Sequence, residues 1–353
     1  MWRVVIFYFK NSYGQHSEYI LIMSYVYNVN IFCIYHIKAK EMQIFKNILF
    51  VSNNSGSELD ALKKALTLAF NNKAALQILI LAPKFPKSFN EYENGHNKYL
   101  LEKLSSNLHL ACTELKISQE EVQLGISIET SDSIAVHIIQ YVLRGAYDLV
   151  IKMAEETIAD SGFKALDMKL LRKCPCPVFL DRTVTSQTTK MKIAVAIDAE
   201  STDAVGHDLA IQLLKLAHDL SDAYNAELTI VSCWHYEHES EFREGGHFEI
   251  SKESLKEFLD IVEQSHKTKF DALVQESNIS GKYKVYALKG IPDETIPEFI
   301  NDNRINLLVI GTLARGGITG ALVGNTAENI FQLLKCSLIA KKPNGFVSPI
   351  KAY

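Results

Sequence analysis

The chain has 353 residues, which is more than one ordinary domain requires and enough for two. Hydrophobic residues make up 47% and charged residues 22%, the balance of a globular protein with a full core. The formal net charge of −4 disfavours nonspecific nucleic-acid binding, because neutralising phosphates requires a basic surface.

Residues 1–41 differ from the rest of the chain. The stretch 19–37 carries no acidic residue, lysine or arginine and is nearly long enough to span a bilayer. Asn28, Asn30 and His36 weaken a spanning helix, and Met42 leads directly into a strand pattern. We therefore favour a disordered extension or a mis-assigned translation start over a membrane anchor, and we expect no membrane association.

An internal duplication organises the remaining chain. The segment 46–53, KNILFVSN, matches 191–198, MKIAVAID, and 147–152 resembles 306–311. A cysteine-containing segment follows in each copy, and we align Cys174 with Cys336. The predicted strands are 47–52, 76–82, 123–129, 148–153 and 177–181 in the first copy, and 192–198, 227–233, 283–289, 307–311 and 337–342 in the second.

These strands are continuous runs of valine, isoleucine and leucine, as in a parallel sheet that is buried on both faces. Between them lie amphipathic helical patterns such as 57–72 and 205–225. Alternation of strands and helices predicts an open, doubly wound α/β domain in each copy. We predict domains at 42–183 and 190–345, a polar linker at 184–189 and a tail at 346–353.

A glycine-rich stretch, GTLARGGITGALVGNTAENI at 311–330, follows the fourth strand of the second copy and holds five glycines. Ligands of open parallel sheets bind at the carboxyl ends of the strands, where the strand order reverses. Glycines permit close backbone approach, and a helix start near Asn325 offers free N–H groups to an anion. The stretch therefore predicts a phosphate site, although neither GxGxxG nor GxxxxGK[ST] fits it.

These residues resemble the universal stress protein family, whose nucleotide-binding members carry Gly-x-x-Gly-x9-Gly-(Ser/Thr) after the fourth strand. Here Gly311 is followed by Ala314, nine further residues, Gly324 and Asn325. Ala314 and Asn325 depart from the family's glycine and Ser/Thr. The segments 148–154, 170–178 and 324–328 narrow the resemblance to the E subgroup of tandem-type members, and the likeness runs from Met42 to about Pro343.

The resemblance implies two tandem open parallel-sheet domains of the universal stress protein type, an adenine nucleotide alpha hydrolase-like fold, packed as an intramolecular pseudo-dimer. It also implies a low-affinity or altered nucleotide site in the second domain, holding ATP or another adenine nucleotide, with Mg²⁺ if one is bound. Asn53 replaces the family's strand-end aspartate in the first domain, and its loop is shorter, so we expect a degenerate site there. The implied site residues of the second domain are Asp198, Cys233, Gly311, Ala314, Arg315, Gly324, Asn325, Thr326 and Ala327.

Asn325 also suits the N-cap of the following helix, with Glu328 as its capping-box partner. Asp293 and Glu294 follow Pro292, and we interpret them as an ordinary helix start. His235, His238 and His247, with Glu237 and Glu239, have metal-ligand residue types but lie in a polar stretch, so we predict no metal site.

The six cysteines, Cys33, Cys112, Cys174, Cys176, Cys233 and Cys336, show no disulfide framework. We expect reduced thiols in a cytoplasmic protein. Cys174 and Cys176 bracket Pro175 and are interpreted as packing side chains, with a redox role as the less favoured alternative.

The function that the sequence predicts is a stress-response regulator or ligand-sensing module, with no catalytic residues and no required cofactor. Two alternatives stay open, a slow ATP-hydrolysing enzyme that uses the same loop and a ligand-free scaffold. Partners would be a small phosphorylated ligand, other proteins, or a second copy of the chain in a homodimer, and not nucleic acid.

Overall fold

The computed structural model describes residues 3–10, 16–26, 29–35, 44–53, 58–82, 84–155, 161–182, 190–243, 251–313 and 324–353. The chain divides into two compact units, 1–43 and 44–353. None of the described helices is long and apolar enough to cross a bilayer.

The first unit contains three strands, β1 (Arg3–Lys10), β2 (His16–Val26) and β3 (Val29–Tyr35), which pair antiparallel in the order β1-β2-β3. We expected a disordered or mis-assigned extension at 1–41, and the described backbone there is a small sheet. A translation start at Met42 stays a prediction.

The second unit is one continuous α/β structure, with a first half at 44–182 and a second half at 190–353. The strands and helices of the first half are β4 (Asn47–Ser52), α1 (Leu59–Asn72), β5 (Ala75–Ala82), α2 (Glu93–Leu115), β6 (Leu124–Thr130), α3 (Ile134–Gly145), β7 (Leu149–Met153), α4 (Ala165–Lys173) and β8 (Val178–Asp181). Those of the second half are β9 (Lys192–Ala196), α5 (Ala204–Ala223), β10 (Glu227–Trp234), α6 (Glu239–Arg243), α7 (Lys252–Glu276), β11 (Tyr283–Lys289), α8 (Pro292–Asp302), β12 (Leu307–Gly311), α9 (Asn325–Leu333) and β13 (Ser337–Lys341).

All ten predicted strands form one sheet in the order β11-β10-β9-β12-β13-β8-β7-β4-β5-β6. Within each half the strands are parallel, and their order is third, second, first, fourth, fifth. Helices cover both faces, which explains why β4 and β12 are largely apolar runs and why β7 is buried along its whole length. The predicted open, doubly wound α/β fold is therefore confirmed.

The fifth strands of the two halves pair antiparallel, with Phe179 opposite Ile339. We call this pairing, together with the contacts around it, the seam. Because the pairing is antiparallel, the carboxyl ends of the two sets of parallel strands lie at opposite ends of the sheet. The predicted domain boundaries stay predictions, since both halves lie in one compact unit and residues 184–189 fall outside the described residues.

The strand register corrects one alignment made from the sequence. Val150 pairs with Val178 in the first half, and Leu308 pairs with Leu338 in the second. Cys176, and not Cys174, is therefore the counterpart of Cys336. The sequence alignment was wrong by two residues, because matching the leucines before each cysteine placed the gap in the wrong position.

Polar contacts join the halves on both sides of the seam. Ser337 Oγ donates to Asp181 Oδ1 at 2.8 Å, and the backbone N–H of Arg182 donates to Ser337 Oγ at 3.0 Å. Between α4 and α9, Arg172 makes a two-pronged ion pair with Glu328, with N–O distances of 2.8 and 3.0 Å. The predicted intramolecular pseudo-dimer is thus held by backbone pairing and by charged side chains.

Lys342 lies just beyond β13 and is only 6% exposed. Its ammonium lies 4.9 Å from the centre of the Phe346 ring. Burial lowers the pKa of Lys342 to about 8, although the nearby Cys174 and Glu328 oppose this change.

Replacing Lys342 with methionine should stabilise the protein at pH 7 by about 2 kcal/mol, since a shift from 10.5 to about 8 corresponds to roughly 3 kcal/mol before the lost cation–π contact is subtracted. The destabilisation that comes from burying the Lys342 charge is largest below pH 8, where Lys342 is protonated in both the folded and the unfolded protein. It disappears as the pH approaches 10.5. Urea unfolding at pH 7, 8.5 and 10 measures the difference. A difference between Lys342→Met and wild type that is constant with pH would contradict the prediction, and the exposed Lys335→Met serves as the control.

Candidate ligand-binding cleft

A cleft of about 1010 Å³ opens in the second half where the strand order reverses. The strands run outward from β9 on one side and from β12 on the other, so the helices that follow these two strands lie on opposite faces. The cleft lies at the carboxyl ends of β9, β10 and β12, where open parallel sheets bind their ligands.

The structure brings together the sequence-predicted site residues that it describes. Asp198 follows β9, Cys233 belongs to β10, and Gly311 ends β12. The sequence-predicted residues that line the cleft are Asp198, Cys233, Gly311, Gly324, Asn325, Thr326 and Ala327. Ala314 and Arg315 lie outside the described residues.

The start of α9 differs from the sequence prediction. Gly324, and not Asn325, is the N-cap, and the backbone N–H of Glu328 donates to Gly324 O at 3.0 Å. The predicted capping box is wrong, because the Glu328 carboxylate instead accepts hydrogen bonds from Arg172 across the seam. Asn325 is the first helical residue, and its exposed side chain lies at the cleft.

The N-termini of three helices, α5, α8 and α9, border the cleft, and they differ in capping. At α8 the first residue is Pro292, which has no backbone N–H to offer a ligand. At α5, Asp203 accepts a hydrogen bond from Gly206 N at 2.7 Å, and this bond lowers the pKa of Asp203. At α9, no side chain within the described part of the chain caps the helix. Among the described residues, the first N–H groups of α9 therefore have no side-chain acceptor, and the positive end of the helix dipole lies behind them.

The charged groups of the cleft are mainly acidic. Glu200 lies between His266, at 2.9 Å from its Nδ1, and the ammonium of Lys269. Burial alone would raise the pKa of Glu200, but the hydrogen bonds from Lys269 and His266 hold it below its usual value. Asp198 and Asp293 add two further carboxylates. Lys269 is the single lysine or arginine among the described lining residues, so acidic side chains outnumber basic ones.

Sequence reasoning missed the wall that β10 and α7 contribute. Trp234 is 5% exposed, lines the cleft, and has an indole N–H for which no acceptor lies among the described residues. Ile261, Val262 and Lys269 come from the middle of α7. The only available signal was the position of Trp234 directly after Cys233, because nothing in the α7 sequence shows which of its faces meets a cleft.

Cys233 lines the cleft. Burial raises the pKa of its thiol to about 12, so the thiol stays protonated and contributes an uncharged surface. Asn53, the first-half counterpart of Asp198, has different surroundings. There Glu58 is buried and accepts hydrogen bonds from Ser52 Oγ at 2.7 Å and from Asn53 N at 3.0 Å.

The remaining sequence candidates lie as follows. Pro292 is the first residue of α8, with Asp293 and Glu294 in its first turn, which confirms the helix-start interpretation. No group of three or more His, Cys, Asp or Glu side chains suited to a metal occurs in the described ranges, which exclude His247.

Cys174 and Cys176 are buried, with their sulfur atoms 3.6 Å apart. The contact with Cys174, together with burial, raises the pKa of Cys176. A buried, protonated thiol is poorly reactive, which agrees with the packing interpretation.

Fold and cleft together define a tandem α/β protein with a candidate ligand cleft in its second half. A family model described as the universal stress protein family matches residues 191–341. Universal stress protein E of Photorhabdus laumondii subsp. laumondii is 31% identical over 221 residues, which cover 61% of this chain and 68% of that protein. A universal stress protein E homolog of Haemophilus influenzae is 26% identical over 313 residues, which cover 85% of this chain and 98% of that protein.

A crystal structure from Pseudomonas aeruginosa, described as a universal stress protein, matches with a TM-score of 0.64 at 23% identity, covering 86% of this chain and 95% of that one. This likeness concerns the fold. The chain belongs to the universal stress protein family, as its sequence predicted. Membership assigns it to the stress-response proteins.

Gly311→Ala tests how tightly the cleft floor is packed. An added Cβ would lie 2.7 Å from Leu209 Cδ2 and 3.1 Å from Leu213 Cδ1, so both leucine ends must shift. We expect a loss of about 1 kcal/mol in the free energy of unfolding, measured by urea titration. Gly95→Ala, where nothing lies within 4 Å of the added Cβ, should instead stabilise α2 by up to about 1 kcal/mol. Equal effects of the same sign would contradict this packing.

Proposed function

We propose that the protein is a ligand-sensing stress-response module that binds an adenine nucleotide, or another small phosphorylated ligand, in the cleft of the second half. The observation that carries the proposal is the start of α9 at the point where the strand order reverses, where no described side chain caps the helix. A helix N-terminus at this point offers N–H groups and a positive dipole end to phosphate oxygens. Gly324, directly before α9, lines the cleft and has no side chain to keep a phosphate group from the backbone.

The acidic lining supports a role for a divalent cation. Asp198, Glu200 and Asp293 face the cleft, while Lys269 is already paired with Glu200. A polyphosphate entering this cleft would meet net negative charge among the described side chains. Mg²⁺ on the phosphates would remove that repulsion, and oxygen-rich surroundings are what this ion prefers.

Binding without turnover is the mode we propose. Glu200 is held by Lys269 and His266, and Asp293 Oδ2 accepts a hydrogen bond from Asn329 at 2.9 Å. A general base must reach the proton that it removes, and carboxylates held in such contacts are poorly placed for it. The bound ligand would instead change the surface that α8 and α9 present to other proteins.

Equilibrium dialysis with labelled ATP tests the proposal. We expect one nucleotide per chain, binding that requires Mg²⁺, and a rise in melting temperature on binding, because a ligand specific for the native state stabilises it. Gly324→Trp should fill the space before α9 and weaken binding at least tenfold. The matched control is Lys164→Trp at the exposed start of α4 in the first half, which should leave binding unchanged.

No binding at millimolar ATP with Mg²⁺ would defeat the nucleotide proposal. An unchanged melting temperature with every nucleotide tried would favour a ligand-free scaffold. Release of phosphate that depends on Mg²⁺ and is lost in Gly324→Trp would overturn the assignment as a binding protein and establish hydrolysis.

A further inference from the structure

The register of the sheet shows which residues of the first half occupy the position of the second-half cleft. Val51 pairs with Lys152, and Ala196 pairs with Ile310, so Lys152 is the counterpart of Ile310. The third residues of α4 and α9 are Asp167 and Ala327. Ile310 and Ala327 both line the cleft of the second half.

In the first half these two counterparts form an ion pair. Lys152 Nζ lies 2.5 Å from Asp167 Oδ1, and the two side chains are 4% and 0% exposed. The second carboxylate oxygen, Asp167 Oδ2, accepts a hydrogen bond from the backbone N–H of Glu155 at 2.8 Å. Lys152 Nζ also donates to Met153 O at 2.7 Å.

The surroundings of the Asp167 carboxylate are those of an anion site. It lies in the first turn of α4, receives a backbone N–H from the segment after β7, and faces a cation. Glu155 corresponds to Leu313, because the preceding residues, Ala154 and Thr312, make the same backbone bond to the fifth strand. Leu313 lines the cleft of the second half.

We propose that Asp167 is a tethered anion that permanently occupies the ligand position of the first half. The Asp167 carboxylate provides the negative charge that an open cleft would receive from a bound anion. The first half is therefore held in an occupied state and takes no ligand, while the cleft of the second half stays open. The location of the ligand position rests on the proposed function of the second half, whereas the experiment below measures the first half alone.

The test is chemical rescue of Asp167→Ala by formate, the carboxylate that this change removes. The variant leaves the Lys152 ammonium and the Glu155 N–H buried without their partner, so its melting temperature should fall by roughly 5–10 °C. Sodium formate should restore part of this loss in a saturable manner, while sodium chloride at equal ionic strength should not. A formate response no larger than that of wild type would overturn the proposal.

Lys152→Ile combined with Asp167→Ala installs the second-half residues and provides a readout if the single variant does not fold. Without a buried cation, the double variant should fold with a melting temperature close to that of wild type and show no formate response. A double variant as unstable as Asp167→Ala, or one stabilised by formate to the same extent, would show that Asp167 has only a packing role and would overturn the proposal.

Discussion

The structure of the second unit depends on the antiparallel pairing of β8 with β13. Each half alone would leave its fifth strand as an open edge with unpaired backbone groups, which proteins avoid exposing. Pairing these edges closes both at once and makes one sheet of ten strands. It also brings Asp181 to Ser337 and Arg172 to Glu328, so the polar contacts between the halves follow from the strand pairing.

The seam also determines how the two ligand positions relate. The strands of the two halves run in opposite directions, so their carboxyl ends lie at opposite ends of the sheet. The cleft of the second half and its counterpart in the first half therefore lie at opposite ends of the strands. Arg172 and Glu328 join α4 and α9, the two helices that begin at these positions, and so provide a physical connection between them.

Few residues make one half open and the other closed. Ile310, Gly311 and Ala327 in the second half have Lys152, Met153 and Asp167 as their counterparts. The order of the strands is the same in both halves, and at these three positions the halves differ in side-chain volume and charge. A duplicated fold can thus lose a cleft without losing stability, provided that the charges which fill it are paired.

The order and type of the strands were predictable because each is a short apolar run bounded by polar segments, and this pattern survives without knowledge of the partner strands. Alignment of the two copies near the cysteines was not predictable, since Cys174 and Cys176 differ by two positions and only the pairing of Val150 with Val178 distinguishes them. The predicted capping box at the start of α9 was wrong for a related reason. Glu328 has the local spacing for a capping box, but its carboxylate pairs with Arg172 of the first half.

The sequence by itself determined the family, the doubly wound fold and the location of the cleft at the glycine-rich loop, because strand patterns and glycine spacing are local properties of the chain. Tertiary structure alone decided that Trp234 and Lys269 form a wall of that cleft and that Lys152 and Asp167 fill its counterpart. Lys152 and Asp167 are 15 residues apart in the sequence, and Trp234 and Lys269 lie on different elements. Their proximity depends on how helices pack on the sheet, which no local pattern encodes.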